Sequence, residues 1–327
     1  MSEVRHLLVL PRLRVQNANA ISSPMTWGFP AMSAFIGAMH ALERNLPEHL
    51  AMEFQQVGVV CHDHEAQITE DGFSRAFHLT RNPVDKSGST AAIVEEGRIH
   101  LEVSLIFAVD GASCVGSEEE RAFVAQEIQD IVRGMRIAGG SVMPGLSGGR
   151  RRQQPFMIAL DDDDEVQAKQ FKKLCLRCLP GFALVGRDDL LQQRVREMRE
   201  ENRDATYLDA WLDLSRINHE CRSEISADEN GADQEPVHWE IRQKPGWLVP
   251  MPVGFGALTR LHEPGEVART RDVSTPFRFV ESLYSIGQWV SPHRLERPEQ
   301  LLWYVDNDLE AGLYRLDNDF IKKQPTI

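Results

Sequence analysis

The chain lacks the sequence features of secreted, membrane-spanning and disulfide-stabilised proteins. It has five Cys in 327 residues, and its first apolar run, LLVL, is too short for a signal peptide. No segment approaches the ~20 consecutive apolar residues that a membrane span requires. We therefore expect a cytoplasmic protein with reduced thiols and no membrane partner, built as one large domain with an insertion or as two smaller domains.

Motifs of common enzyme classes are absent as well. There is no GxxxxGK[ST] phosphate loop, no G-x-S-x-G elbow and no dinucleotide-binding fingerprint. The pair Cys175 and Cys178 has no second pair at zinc spacing. In a strand, the string Cys61 to His64 would place two His on one face, but no third metal ligand is indicated. Asp161–Asp164 fits the start of a helix better than a two-metal centre. We expect no catalytic residue, no metal and no cofactor.

Acidic residues are missing from three long windows of an otherwise acidic chain. The sequence has 49 Asp and Glu against 36 Lys and Arg, yet Val4–Leu42, Ile131–Leu160 and Ile241–His262 contain neither acid. A phosphate group responds to charge within a Debye length of ~10 Å, so local distribution matters more than the net charge of −13. Burial explains part of this pattern, but not Arg150, Arg151 and Arg152. The segregation favours an anionic partner.

The first window reads as a strand, a polar loop and a helix. Alternation predicts one apolar strand face, made of Leu7, Val9, Leu13 and Val15, and one polar face, made of Arg12, Arg14 and Gln16. Pro11 cannot donate to a sheet ladder, which predicts a bulge or an edge there. After Pro30, a buried helix stripe is predicted from Phe35, Met39, Leu42 and Leu46.

This window also supplies the groups that single-stranded RNA binding requires. We predict that Arg12 and Arg14 contact phosphates, because the surrounding sequence offers no acidic partner; the alternative is a salt bridge to an acidic helix. Gln16, Asn17 and Asn19 are candidates for base edges or sugar hydroxyls. Trp27 could stack on a base or anchor the loop in the core.

The predicted element order gives an α+β fold. Strands are expected at Phe54–Ile68 and Ile99–Val109, and a capping box from Ser117 to Glu120 begins a helix that runs to about Arg136. A short strand after Gly139 completes the βαββαβ pattern of a ferredoxin/RRM-like (RAMP) core, with a thumb excursion at about 66–97.

The remaining chain divides by composition. Residues 1–144 form the predicted core and 145–236 a basic loop, a helical insertion and an acidic linker. Within that insertion, helices are expected at Val166–Leu179, Asp188–Glu201 and Ala205–Ile217. Residues 237–327 are predicted as strands and turns that pack on the core.

Further RNA-binding candidates lie beside glycine turns, in the basic loop and in the thumb. They are Arg75, Arg81, Asn82, Arg136, Arg150, Arg151, Arg152, Lys244, Trp247, Phe255 and Arg260. Glycine lets a phosphate approach backbone amides closely, although a plain turn is the alternative at each glycine cluster. For the thumb residues, the alternative is an exposed hairpin with solvated charges.

Several blocks, taken in order, resemble one family. They are LPRLRVQNANAISSPMTWGFP, LTRNP with STAAIVEEGRIHLEVSL, MRIAGGSVMP, CLPGFALVGRDDLLQQ and KPGWLVPMPVGFGALT. The chain thereby resembles the second Csy subunits of type I-F CRISPR surveillance complexes, which are Cas-five-type proteins. The resemblance implies an RRM-like body that clamps the 5′ handle of crRNA without cutting it. It also implies a heterodimer with the large Csy subunit, contact with the adjacent backbone Csy subunit, and target DNA reached through the assembled complex.

Two other functions remain open. Some Cas-five relatives process repeat RNA by general acid–base chemistry using His, Tyr or Lys, so an endoribonuclease is one alternative. A protein scaffold without RNA contact is the other, with Asp161–Ile217 as its interaction surface.

Overall fold

The computed structural model describes residues 4–321 except 73, 82, 85–86, 145–153, 224–225, 228–232, 235–236 and 271. These residues form a mixed α/β structure around one large antiparallel sheet, with five α-helices. None of the helices in this part of the chain is long and apolar enough to cross a membrane.

The helices and strands are numbered in chain order. The helices are α1 Met32–Arg44, α2 Glu118–Arg133, α3 Asp164–Arg177, α4 Asp188–Glu201 and α5 Tyr207–Ser215. The strands are β1 His6–Asn19, β2 Ile21–Ser23, β3 Thr26–Trp27, β4 Glu53–Ala66, β5 Ile68–Asp71, β6 Ser74–Phe77, β7 Leu79–Arg81, β8 Ile93–Glu95, β9 Arg98–Asp110, β10 Arg136–Ile137, β11 Gly140–Val142, β12 Phe156–Ala159, β13 Phe182–Gly186, β14 His219–Ser223, β15 Ser226–Ala227, β16 Asp233–Gln234, β17 Val237–Ile241, β18 Trp247–Ala257, β19 Val280–Val290, β20 Trp303–Asp308 and β21 Leu313–Asn318.

The large sheet draws strands from all parts of the chain. Its order is β10-β11-β1-β9-β4-β13-β19-β18-β21-β20, and β12 pairs with β1. The pairing of Trp303 with Val57 also joins β20 to β4, so the six strands from β4 to β20 form a closed ring. The strand predicted at Ile99–Val109 is confirmed as β9, in the centre between β1 and β4.

The helices cover both faces of the sheet. α1 and α2 pack on one face, where Phe35, Met39 and Leu42 of the predicted stripe are buried. Leu46 lies just beyond the end of α1 and is partly buried against the same core. α3 packs on the opposite face through Phe171 and its neighbours.

The bulge predicted at Pro11 is confirmed. Leu10 pairs with Leu105 and Leu13 pairs with Val103, so two residues of β1 face one residue of β9. The predicted apolar face, however, is wrong. Leu7 and Val9 lie in the core on the α3 side, whereas Leu13 and Val15 lie in the core on the α1 side. The extra residue in the bulge exchanges the two faces of the strand.

The region 145–236, predicted as a basic loop, a helical insertion and an acidic linker, contains strands as well as helices. Its helices form near the predicted positions, and α4 has the predicted bounds. β12 and β13 of the same region join the large sheet, and β13 pairs with both β4 and β19. Phe182–Gly186 is a short apolar run between two helical segments, so periodicity alone did not identify it as a strand. The basic loop and parts of the acidic linker lie outside the described residues.

Beyond the predicted core, β18 to β21 extend the large sheet, and the thumb excursion consists of two hairpins, β5–β6 and β7–β8.

The capping box that begins α2 is confirmed. The Ser117 hydroxyl accepts from the Glu120 N–H at 3.2 Å, and the Glu120 carboxylate accepts from the Ser117 N–H at 2.7 Å. The helix ends at Arg133, three residues before the predicted end, because Arg136 begins β10.

Removing this cap should destabilise the fold measurably. We expect Ser117→Ala to lower the free energy of unfolding by about 1 kcal/mol, since the Glu120 N–H of the first turn loses its acceptor. Urea denaturation followed by circular dichroism measures this. Ser117→Thr keeps a hydroxyl and should retain most of the stability. Equal losses in the two variants would contradict a capping role.

Candidate nucleic-acid interface

The first bulge of β1 holds Arg12 in an unusual backbone conformation. Its φ is 51°, in the left-handed region that residues other than glycine rarely adopt. The Arg12 N–H donates to Ser104 Oγ at 3.0 Å, and the guanidinium forms an ion pair with Glu102. With the Arg12 side chain only 23% exposed, most of this cation is committed within the protein.

The expectation that Arg12 has no acidic partner is therefore wrong. Glu102 lies on β9, 90 residues away in sequence, and sheet pairing brings it beside β1. A stretch of sequence without Asp or Glu can still lie next to acidic residues of a neighbouring strand in the folded protein. Contact between Arg12 and RNA stays a prediction.

A second bulge lies at Asn17. Val15 pairs with Leu101 and Ala18 with Ile99, and φ of Asn17 is 58°. The Asn17 N–H donates to His100 Nδ1 at 3.1 Å, while its side chain is exposed. Both bulges of β1 are thus held by side chains of β9.

Between the bulges, Arg14 and Gln16 face an uncovered part of the α3 side of the sheet. With His64 and His100 they line a cavity of about 230 Å³, which we call the open sheet face. Asp63, Glu65 and Glu102 line it too. Arg14 is exposed and forms no ion pair within the described residues. The surface is therefore of mixed charge.

A larger groove lies on the other side of the sheet, along α1. It has a volume of about 850 Å³, and we call it the α1 groove. Its lining residues are Asn19, Ser22, Pro30, Ala31, Ser33, Ala34, Gly37, Ala38, Ala41, Arg136, Ala138, Gly139, Phe255 and Tyr314. All of them except Tyr314 come from the three windows without acids, so these windows converge here. No acidic residue of the described chain is among them.

The sequence explains how Arg136 and Asn19 meet in the α1 groove. The turn between β10 and β11 lies against the end of β1, where the Asn19 N–H donates to the Ala138 carbonyl at 2.8 Å. A Cβ at Gly140 would lie 2.6 Å from Ala18 N, so only glycine allows this approach. The Asn19 side chain itself bonds to the N–H and carbonyl of Ile21.

Two features make the α1 groove suitable for an anion with planar groups. Arg136 is exposed and forms no ion pair with any described residue. Phe255 is 39% exposed, and its ring lies 6.3 Å from that of Tyr314. Among the described residues, the groove therefore combines a cation without an ion-pair partner, the hydroxyl of Ser33 and an accessible ring.

The sequence did not single out the α1 wall of this groove. Ala34, Gly37, Ala38 and Ala41 recur at i, i+3, i+4 and i+7, the spacing of one helix face. This stripe of small residues, next to the predicted buried stripe, was the available signal. Tyr314 had no such signal.

Three other predicted cations, Arg75, Arg260 and Lys244, form ion pairs or hydrogen bonds within the protein. Arg75 lies 3.1 Å from Glu70 in the thumb, and Arg260 forms an ion pair with Glu266. Lys244 Nζ donates to the Leu214 carbonyl at 2.7 Å, away from the α1 groove. Arg81 is exposed in the thumb. The predicted Asn82, Arg150, Arg151 and Arg152 lie outside the described residues.

The two predicted tryptophans lie in aromatic clusters. Trp27 meets Phe77 of the thumb edge to face, with ring centroids 5.7 Å apart, so it links the β2–β3 hairpin to the thumb. Trp247 is 55% exposed and packs against Phe182 at 5.5 Å and Trp289 at 6.3 Å. Neither lines the α1 groove.

In the segment Cys61 to His64, which was considered as a metal site, His62 forms hydrogen bonds within the protein. His62 Nδ1 lies 2.6 Å from the Pro180 carbonyl and Nε2 lies 2.6 Å from Ser104 Oγ, so both ring nitrogens are engaged. Burial raises the pKa of Cys61 to about 12. Within the described residues, no group of His, Cys, Asp and Glu has a metal-binding arrangement. Cys175 and Cys178 are buried free thiols.

Comparison with known proteins identifies the family. The family model for "CRISPR-associated protein (Cas_Csy2)" matches residues 8–316. The chain belongs to the Cas_Csy2 family. It is also 48% identical over 311 residues to the CRISPR-associated protein Csy2 of Pseudomonas aeruginosa (strain UCBPP-PA14), covering 94% of each chain. The resemblance to the second Csy subunit of type I-F CRISPR systems is thereby confirmed. The matched range contains all the residues that line the α1 groove and the open sheet face.

Burial of His62 predicts a pH effect on stability. Burial lowers its pKa from the ordinary 6.5, and the hydrogen bond to Pro180 opposes this only in part. Below pH 6.5 the unfolded chain therefore binds more protons than the folded protein, and the free energy of unfolding falls as the pH falls. His62→Gln does not titrate and should show a smaller decrease between about pH 7.5 and about pH 5.5 in chemical denaturation. Identical decreases would contradict the assignment.

Proposed function

We propose that this chain is a non-catalytic RNA-binding subunit of a type I-F Csy complex. It clamps the 5′ handle of crRNA together with the large Csy subunit, next to the adjacent backbone Csy subunit. By holding the guide it supports binding of foreign DNA, whose sequence is read by base pairing with the guide. Family membership supports the Csy assignment, and the α1 groove supports the RNA-binding role.

The observation that carries the proposal is the convergence of the three acid-free windows on the α1 groove. Single-stranded RNA is bound by cations at phosphates, polar groups at base edges and sugars, and rings that stack on splayed bases. Arg136 supplies the cation, Ser33 supplies a hydroxyl, and Phe255 supplies the ring. The small side chains of α1 leave room for a nucleotide against the helix.

The open sheet face supports a second contact region. Arg14 and Gln16 lie on the α3 side of the sheet, whereas the α1 groove lies on the α1 side. Asn17, with its exposed side chain, lies in β1 just before Asn19, where the strand ends. A strand of RNA that passes around this end would meet polar side chains on both faces, which is how a clamp holds a flexible chain.

The topology supports the proposed ferredoxin-like (RAMP) core. The neighbouring strands β11, β1, β9 and β4 are antiparallel, α1 follows β1, and α2 follows β9. Both helices pack on one face of these four strands. This order is expected for a split βαβ pair, with the thumb inserted between β4 and β9.

The non-catalytic assignment is also part of the proposal. The ring nitrogens of His62, in the His-rich string, are bonded to Ser104 and Pro180. His62 therefore has no free nitrogen to accept a proton from a ribose hydroxyl. This arrangement favours a binding role over an endoribonuclease.

Changes in the α1 groove should weaken RNA binding. In the complex co-expressed with the large subunit, we expect Arg136→Ala to reduce affinity for handle RNA about 10-fold, since one phosphate contact is lost. The slope of log K against log salt should also decrease by about 0.7. Fluorescence anisotropy with a labelled handle oligonucleotide measures both. Phe255→Ala should weaken binding without changing the salt slope, because stacking releases no counterions.

The matched control is Arg196→Ala, which removes the same charge from an exposed position of α4 on the other side of the sheet. Its affinity and salt slope should equal those of the unchanged complex. If all three variants bind equally well, the protein-scaffold alternative is favoured and the clamp is rejected.

Incubation with repeat RNA tests the absence of catalysis. We expect the RNA to remain intact on denaturing gels after incubation with the purified chain, with Mg²⁺ or with EDTA, since both ring nitrogens of His62 are already hydrogen-bonded within the protein. Specific cleavage that is lost in a His62→Ala variant would establish the endoribonuclease alternative instead.

A further inference from the structure

Three hydrogen bonds connect the backbone of Arg12 on β1, through Ser104 on β9 and His62 on β4, to the Pro180 carbonyl. The Pro180 carbonyl can only accept, so His62 Nδ1 carries the hydrogen and donates to it. In the neutral ring Nε2 then accepts, and the Ser104 hydroxyl donates to it. Ser104 Oγ in turn accepts from the Arg12 N–H. All three bonds therefore run from donor to acceptor in the same order, from the Arg12 N–H through Ser104 and His62 to the Pro180 carbonyl in the loop before β13.

The middle of this chain of bonds is buried and its far end is closely fitted. Ser104 is 1% exposed, whereas His62 is half-buried. A Cβ at Gly181 would lie 2.7 Å from His62 Nδ1 and 3.0 Å from the Cys178 carbonyl, so the loop reaches the ring only because residue 181 is glycine. His62 itself lies at a bulge of β4, where Cys61 pairs with Val103 and Asp63 with Glu102. β1 and β4 flank β9, so their two bulges lie on opposite edges of β9, close to Ser104.

The bulge at Arg12 decides which side chains reach the open sheet face. Before it, Leu8 and Leu10 face the α1 side; after it, Leu13 and Val15 do. Because side chains alternate, a strand without the extra residue would turn Arg14 toward the core and Leu13 outward. The left-handed conformation of Arg12 is unfavourable for a residue with a Cβ, so it needs the bond to Ser104.

We propose that His62 is a positioning residue for the RNA-binding strand. By orienting the Ser104 hydroxyl, it holds the backbone of Arg12 in the bulge and so keeps Arg14 and Gln16 on the open sheet face. The effect on RNA rests on the proposed function, whereas the effect on the strand does not. Neither residue of the pair His62 and Ser104 needs to touch RNA for this role.

Two amide variants separate this role from simple packing. The amide of Gln lies near the position of Nε2, so His62→Gln keeps an acceptor for Ser104 and loses the bond to Pro180. The amide of Asn lies near the position of Nδ1, so His62→Asn keeps the bond to Pro180 and loses the acceptor for Ser104. Each variant loses one of the two hydrogen bonds of the ring, and a role limited to packing gives no reason for the Arg12 amide to differ between them.

Hydrogen exchange in the purified complex without RNA measures directly how well the Arg12 amide of β1 is protected. We expect the Arg12 amide to exchange about 10-fold faster in H62N than in H62Q, because its acceptor is no longer oriented. The affinity for handle RNA should fall about 10-fold in H62N and stay within about 2-fold of the unchanged complex in H62Q. Ser104→Ala removes the acceptor with His62 intact, and should reproduce H62N in both measurements.

The outcomes are distinct. If the Arg12 amide exchanges equally in H62N and H62Q, or stays protected in Ser104→Ala, the positioning role is overturned. If exchange differs but Arg136→Ala leaves RNA affinity unchanged, His62 positions the strand and the RNA clamp is what fails. If Arg136→Ala weakens binding while H62N and H62Q bind alike, the clamp stands and the inference about His62 is rejected.

Discussion

The pairing of β1 with β9 is the interaction on which the other features depend. Two bulges interrupt it, at Arg12 and at Asn17, and each bulge exchanges the two faces of β1. Both freed N–H groups find acceptors on β9, at Ser104 and His100. The same strand thus contributes to the core on both sides of the sheet and still presents polar side chains between the bulges. A regular strand of this sequence could not do both.

Strong periodic signals were readable from the sequence. The alternation of β9, the buried stripe of α1 and the capping box of α2 all predicted their elements, since each depends on residues close together in the chain. Proline at position 11 also indicated its bulge. The consequence for the side chains around it was not readable, because one extra residue reverses every later assignment in the strand. β13 was missed since it is short and lies between helices.

For the candidate site, local charge was a poor guide to individual residues. The three windows without acids each contribute residues to the lining of the α1 groove, which the sequence did not predict. Local charge failed at Arg12, whose partner Glu102 comes from the next strand. Spatial partners across a sheet are set by register, and register depends on bulges that a single sequence does not display. The α1 wall was overlooked because small residues carry no charge.

The closed ring of strands has a consequence for synthesis of the protein. One edge of β4 is covered by β13 and β20, which follow it by more than a hundred residues and by more than two hundred residues. At roughly 5–20 residues per second, a ribosome exposes that edge for several seconds at least before β13 emerges. An unpaired edge can recruit strands from other nascent chains. Late pairing of β4 thus leaves an edge that is prone to intermolecular pairing during synthesis, until the later strands cover it.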